Sequence, residues 1–146
     1  MSIEDNKVNT RRVLEEMWNQ GNFAGFEKLC ASNYIHRDPI QPTAHTQADF
    51  KRWVTEMRNA FAGLRVSIED LVAEGEEVMA RWTLRGTQTG NLTRPIYIPA
   101  TGNQVNAMGI TIFGFTGGKI VEDWSQLDYF NIFQQLGALP TPQAAR

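Results

Sequence analysis

The sequence predicts an α+β domain, with N-terminal helices packed on one face of a curved antiparallel sheet. Three observations carry this. Up to about residue 62, apolar residues recur at spacings of three and four, as in Phe50, Trp53, Val54, Met57 and Phe61. From Leu64 the period changes to two. Helices first and strands afterwards is the order of an α+β fold.

The elements follow in turn. Residues 6–20 read as a helix with Val13, Leu14 and Met17 on one stripe, and Gly21 offers its stop. Phe23 to Cys30 fits a second short helix. ASNYIHRDP reads as a loop or short extended segment, because the residue before Pro39 avoids the helical region. Thr46 with Asp49 resembles a capping box opening a third helix, which Gly63 would end. Val66 and Ile68, then Val78, Ala80, Trp82 and Leu84, alternate around a turn at Gly75 and predict two antiparallel strands. Residues 86–104 hold Gly90, Pro95, Pro99 and Gly102, which marks a long connection or an irregular strand pair. Val105–Phe115 and Lys119–Gln126 form a second hairpin around Gly117-Gly118. Asp128 caps a terminal helix to Leu136, and a loose tail is expected from about residue 140.

The 146 residues favour a single domain over 1–146, and 42% hydrophobic with 21% charged residues is an ordinary globular balance. A net charge of -2, without basic clusters, gives no electrostatic reason to expect nucleic acid or an anionic membrane as partner. No apolar stretch reaches membrane-spanning length. Cys30 is the lone cysteine and MSIEDNKV is not a secretory signal, so a cytoplasmic location is expected. The two histidines lack a zinc-site spacing, no phosphate loop or nucleophile elbow is present, and no metal or cofactor is expected. Met108, Ile110 and Ile112 are apolar on one face of their strand, and Phe113 and Phe115 on the other. Such a strand needs cover on both sides, which helices and a second subunit would supply.

In GGKIVEDWSQLD, simple alternation puts Glu122 on one face with Ile120 and Trp124. A two-residue loop would pair Thr116 with Lys119, and a bulged loop would pair Phe115 with Lys119. Both registers place Glu122 beside large apolar groups. A carboxylate in such surroundings holds its proton more tightly and becomes a usable general base or acid near neutrality. Alternatively, Glu122 lies at the sheet edge or pairs with Arg81 or Arg85.

The segments ASNYIHRDP, LRVSIEDLVAEGEEVMARWTLRGTQTG, IPATGNQV, GITIFGFTGGKIVEDWSQLD and QQLGALP, in that order, resemble the SnoaL-like polyketide cyclases over roughly residues 8 to 140. The resemblance implies the nuclear-transport-factor-like fold, a cone-shaped α+β barrel whose strongly bent sheet encloses a pocket. It also implies a homodimer through the sheet's outer face. Family members close a ring of a hydrophobic, carbonyl-rich polyketide by aldol chemistry without metal or organic cofactor. The carboxylate position maps to Glu122, and the assisting histidine position to Met108, which cannot transfer a proton.

Glu122 is therefore the expected base. His36 or Tyr34 would polarise a carbonyl, with Asp38 near the pocket mouth as the partner of His36. Trp53, Trp82 and Trp124 would shape the cavity, joined on the Glu122 face by Met108, Ile110 and Gln126. Each also has a plainer role: Asp38 as a turn cap, Tyr34 as a strand-edge residue and the tryptophans as core. His45 is expected at the surface. The expected activity is a cofactor-free cyclase or isomerase. A non-catalytic small-molecule binder and a polyketide hydroxylase are the rivals, whereas epoxide hydrolysis would want an acid where Gln126 stands.

Overall fold

The computed structural model describes residues 2–140, without the side chains of residues 42–44. The tail expected after about residue 140 lies outside them. Helix α1 (Ile3–Gln20) opens on a Ser2/Asp5 capping box and closes on Gly21, whose φ of 67° is left-handed. Short α2 (Ala24–Leu29) leads into β1 (Cys30–Asp38) and β2 (Gln41–His45). Helix α3 (Gln47–Ala60) carries the expected capping box: Thr46 Oγ1 accepts from the Asp49 N–H at 3.2 Å, and Asp49 accepts from the Thr46 N–H at 3.3 Å. It ends at Ala60 rather than at Gly63, which sits at an irregular point of the next strand with φ 66°.

Four long strands complete the sheet: β3 (Phe61–Glu74), β4 (Glu77–Gln88), β5 (Gln104–Thr116) and β6 (Lys119–Leu127). Helix α4 (Tyr129–Gln135) follows, capped by Asp128, which accepts from the Asn131 N–H at 3.1 Å. The six strands run in the order β2-β1-β6-β5-β4-β3. ASNYIHRDP takes the extended alternative as β1; the correction concerns the sheet, which is mixed rather than antiparallel because β1 runs parallel to β6. The helices cover the inner face, where Val66, Val78, Ala80, Leu84, Phe113 and Ile120 join the core. Register shifts in β3 bend it around α1 and α3. In the long connection after β4 one bridge joins Leu92 to Ile98, and fully buried Gln88 ties the segment down through Ile98 O and Thr101.

Two local features position the site. The last hairpin pairs Thr116 with Lys119, then Phe115 with Ile120, then Gly114 with Glu122. Val121 is thus an extra residue, a bulge that reverses which side chains face inward. Before it Ile120 is buried; after it Asp123 and Leu127 are buried, with Ser125 half-buried between them. The second feature is Gly109. Trp82 lies across it so closely that a Cβ there would stand 2.4 Å from the indole ring.

The Gly109→Ala variant is expected to lose about 1–3 kcal/mol through forced displacement of Trp82. Urea unfolding checks this; a midpoint equal to the parent's would show that the indole has room to move.

Candidate active site

β1 points three polar side chains under the helices. Tyr34, His36 and Asp38 alternate inward and all are buried. β6 lies beside it in register, with His36 opposite Asp123. His36 Nδ1 is 2.7 Å from Asp123 Oδ1. The Tyr34 hydroxyl donates to Asp123 Oδ2, and Ser125 Oγ donates to Oδ1 at 3.0 Å. The His36 and Asp123 side chains are only 4% and 1% exposed. Burying a carboxylate costs several kcal/mol unless its lone pairs are engaged. Three donors engage them here.

Burial, with the Asp123 charge beside it, pushes the Tyr34 hydroxyl well above its ordinary pKa, so it keeps its proton and stays a donor. Asp38 is held in the same manner. Tyr129 Oη donates to its Oδ2 at 2.8 Å, and the Ile40 N–H donates to Oδ1 at 3.1 Å. Burial, then the Asp38 charge, raises Tyr129 as well. Asp38 thus fills the turn-capping role before Pro39 and also faces the interior.

An enclosed cavity of about 20 Å³ lies over these groups, walled by His36, Asp38, Asp123, Trp53, Trp82 and Phe50 among others. That is room for roughly one water molecule; a larger ligand enters only as side chains at its edge move aside. Asp38 and Leu127 also line a separate open groove of about 590 Å³ between the β1–β2 turn and α4, together with Met108, Ile110 and Gln126. Trp18, Phe50, Trp53, Trp82 and Phe113 supply the aromatic part of the cavity wall. The Phe50 ring lies 4.3 Å from the His36 ring, and Trp53 stacks at 6.2 Å. Trp53 is buried, and its indole N–H has no hydrogen-bond partner among the described residues. A buried orphan donor in a cavity wall is an exception to the general rule of satisfied polar groups.

Glu122 is elsewhere. Its side chain is 40% exposed on the outer face of the sheet, where Arg37 Nη1 donates to its Oε2. The Arg37 guanidinium also lies 4.9 Å over the Trp124 ring. The dry chamber expected around Glu122 is therefore not there, and the Val121 bulge is the reason. Met108, Ile110, Trp124 and Gln126 share that outer face and do not line the cavity. Of the residues singled out in the sequence, the structure brings together His36, Asp38, Trp53 and Trp82 on one cavity wall, with Tyr34 behind Asp123.

The sequence pattern passes over Asp123 and Ser125, because alternation counted through an unmarked bulge puts them outside. It also misplaces His45. That residue is half-buried at the end of β2, opposite His36 in register, with ring centroids 5.9 Å apart. Burial first, then His36 and Arg94, hold its imidazole below the usual value. Among the described residues no cluster of His, Cys, Asp and Glu is placed to hold a metal ion, and no helix is long and apolar enough to cross a membrane.

The family model for SnoaL-like polyketide cyclase matches residues 8–136. Among solved structures, a proposed SnoaL-like polyketide cyclase from Jannaschia sp. CCS1 superposes with a TM-score of 0.83 at 19% identity, covering 96% of this chain and 97% of its own. AclR, a proposed hydroxylase from Streptomyces galilaeus, gives 0.81 at 23% identity, covering 95% and 100%. A protein with a ketosteroid isomerase-like fold from Catenulispora acidiphila gives 0.69 at 18% identity, covering 90% and 96%. The curved α+β architecture is thus that of the ketosteroid isomerase-like, nuclear-transport-factor-like fold. No curated protein matches the chain significantly.

The chain has three tyrosines, Tyr34, Tyr97 and Tyr129. Tyr97 is exposed, and the other two are raised above the ordinary value of 10.0. A raised acid favours the folded state below its unfolded pKa and loses that contribution as pH rises past it. An ultraviolet titration of the native protein is expected to show Tyr34 and Tyr129 ionising only as the protein unfolds in alkali. Three ionisations in the native state would contradict the burial of Tyr34 and Tyr129.

Proposed function

This chain belongs to the SnoaL-like polyketide cyclase family, and we propose that it cyclises or isomerises a polyketide-like, carbonyl-rich small molecule by proton transfer at His36. The observation that carries this is the buried His36–Asp123 pair on the wall of a mostly apolar cavity. Asp123 holds Nδ1, and Nε2 makes no hydrogen bond among the described residues. A carboxylate behind an imidazole orients the ring and stabilises the imidazolium once formed.

In this scheme Nε2 removes a proton from a carbon flanked by two carbonyls. The enolate oxygen takes the hydrogen bond that the orphan Trp53 N–H offers. The enolate carbon then attacks a second carbonyl of the same molecule, forming the ring bond. The imidazolium returns its proton to the new alkoxide. His36 thus takes the proton-transfer role that alternation had suggested for Glu122, and no cofactor takes part. The aromatic walls suit a planar, hydrophobic substrate.

We further propose that a second copy of the chain covers the outer sheet face. Met108, Ile110, Ile112 and Trp124 are 45%, 37%, 39% and 51% exposed there. They lie on neighbouring strands, with Ile112 opposite Trp124 in register. The Arg37–Glu122 and Arg81–Asp70 pairs beside them bring both charge signs, so the face can meet its own copy without net repulsion. A hydrophobic small molecule inside and a second subunit outside are the partners; nothing in the charge favours nucleic acid.

With a cyclisable β-polyketone as substrate, His36→Gln is expected to lower turnover by roughly 10²- to 10⁴-fold. Glu122→Gln, on an exposed ion pair, is expected to leave turnover within about twofold. Product formation and deuterium uptake from D₂O at the acidic carbon are the measurements. Retained turnover in His36→Gln would end this assignment. Ligand retention without turnover in the parent would mark a binding protein, and oxygen uptake a hydroxylase. By light scattering the parent should have twice the chain mass and Ile110→Glu the monomer mass; a monomeric parent would remove the subunit from the outer face.

A further inference from the structure

The Asp123 cluster continues across two more strands. Trp82 Nε1 on β4 donates to Thr111 Oγ1 on β5 at 3.1 Å. Thr111 Oγ1 and Ser125 Oγ on β6 are 3.0 Å apart, and Ser125 Oγ lies 3.0 Å from Asp123 Oδ1. Asp123 Oδ1 then meets His36 Nδ1 on β1 at 2.7 Å. One chain of hydrogen bonds therefore spans four adjacent strands, and all of its side chains line the cavity.

Its direction follows from counting protons. An indole nitrogen only donates, and a hydroxyl has one proton to give. Thr111 therefore accepts from Trp82 and has its own proton left for Ser125. If Ser125 instead donated to Thr111, the Thr111 proton would have no acceptor in the cluster and Asp123 would lose a donor. Only the order Trp82 to Thr111 to Ser125 to Asp123 satisfies every group. Every donor then points at the carboxylate, which takes no proton from the chain. The remaining bond to Oδ1 must also be donated, by His36 Nδ1–H.

We propose that Trp82, Thr111 and Ser125 are positioning residues that hold neutral His36 in its Nδ1–H tautomer, in which the Nε2 lone pair is the one turned to act as a base. This deepens the role given to His36 above and rests on it for its catalytic meaning, while the tautomer itself is a property of the free protein. The Nε2 lone pair and the Trp53 N–H then place an acceptor and a donor on the same cavity wall. The ligand class this fits carries an acidic C–H next to a carbonyl oxygen, a 1,3-dicarbonyl unit.

Long-range ¹H–¹⁵N correlation spectra of the imidazoles test this without any substrate. The protein has two histidines, and His45→Gln assigns them. At mildly alkaline pH, His36 is expected with its proton on Nδ1. In Ser125→Ala the carboxylate loses a competing donor, so the His36 Nδ1–H signal is expected further downfield, with His45 unmoved. Thr111→Val, which removes only the group that polarises Ser125, should move it less in the same direction, and Thr111→Ser should restore it. A parent protein with the proton on Nε2 overturns the proposal. So do His36 signals unchanged in both Ser125→Ala and Thr111→Val; if Ser125→Ala does not fold, the Thr111→Val and Thr111→Ser pair carries the same comparison. Turnover surviving in His36→Gln would end the base assignment and leave the tautomer result intact.

Discussion

Everything distinctive in this molecule depends on one extra residue in β6. Val121 has no partner in the ladder with β5, and past it the strand presents its opposite face to the core. Without the bulge, Glu122 and Trp124 would lie under the helices and Asp123 would meet solvent. With it, Asp123 arrives beside His36, because β1 runs parallel to β6 and sets the two in register. The same step sends Glu122 outward, where Arg37 on the neighbouring strand meets it. A single backbone irregularity thus sorts two adjacent carboxylates into different environments.

The energetics explain why the inner carboxylate is so thoroughly bonded. An ion taken from water to a protein interior loses several kcal/mol even after relaxation, and removing one partner of a buried network leaves another group unsatisfied. Asp123 accepts from Tyr34, Ser125 and His36. Tyr34, for its part, is a dependable donor because burial keeps its proton in place. Behind these stand Thr111 and Trp82, and behind Trp82 stands the missing side chain of Gly109. Each member limits the freedom of the next. The exposed Glu122–Arg37 pair forms under the opposite conditions: water screens it, and such pairs contribute at most about 1 kcal/mol.

Local chemistry made much of the fold legible. The Thr46/Asp49 box, the Gly21 stop, the Asp128 cap and the Gly117-Gly118 turn each depend on residues within a few positions, so the sequence contains their whole cause. β1 was legible only as a loop or short extended segment, not as a paired strand. Its inner face carries Tyr34, His36 and Asp38, whose burial depends on partners 87 to 91 residues away. The Val121 bulge was not legible either, since valine suits a regular strand as well as an irregular one. Trp53 and Trp82 were nameable as cavity walls, but Trp124, equally apolar, faces out. Composition does not carry that distinction; register does.

The register also changes the meaning of Met108. A methionine at the expected histidine position counts against proton-transfer chemistry only if that position faces the pocket. Met108 is on the outer face, in line with Thr83 of β4, and its sulfur lies 3.6 Å from an Arg81 nitrogen. Its inability to carry a proton is therefore irrelevant to the cavity. The imidazole comes from β1 instead, a strand that the sequence marks only as a loop or short extended segment. The inner face needs one carboxylate and one imidazole within hydrogen-bonding distance for acid/base work, and Asp123 and His36 meet that need. The proton-transfer pair is thus defined by which strands are adjacent and where their ladders slip; Tyr34 reaches its carboxylate from β1, and the sheet order β1-β6-β5-β4 lets a second chain of hydrogen bonds reach it from the Trp82 indole.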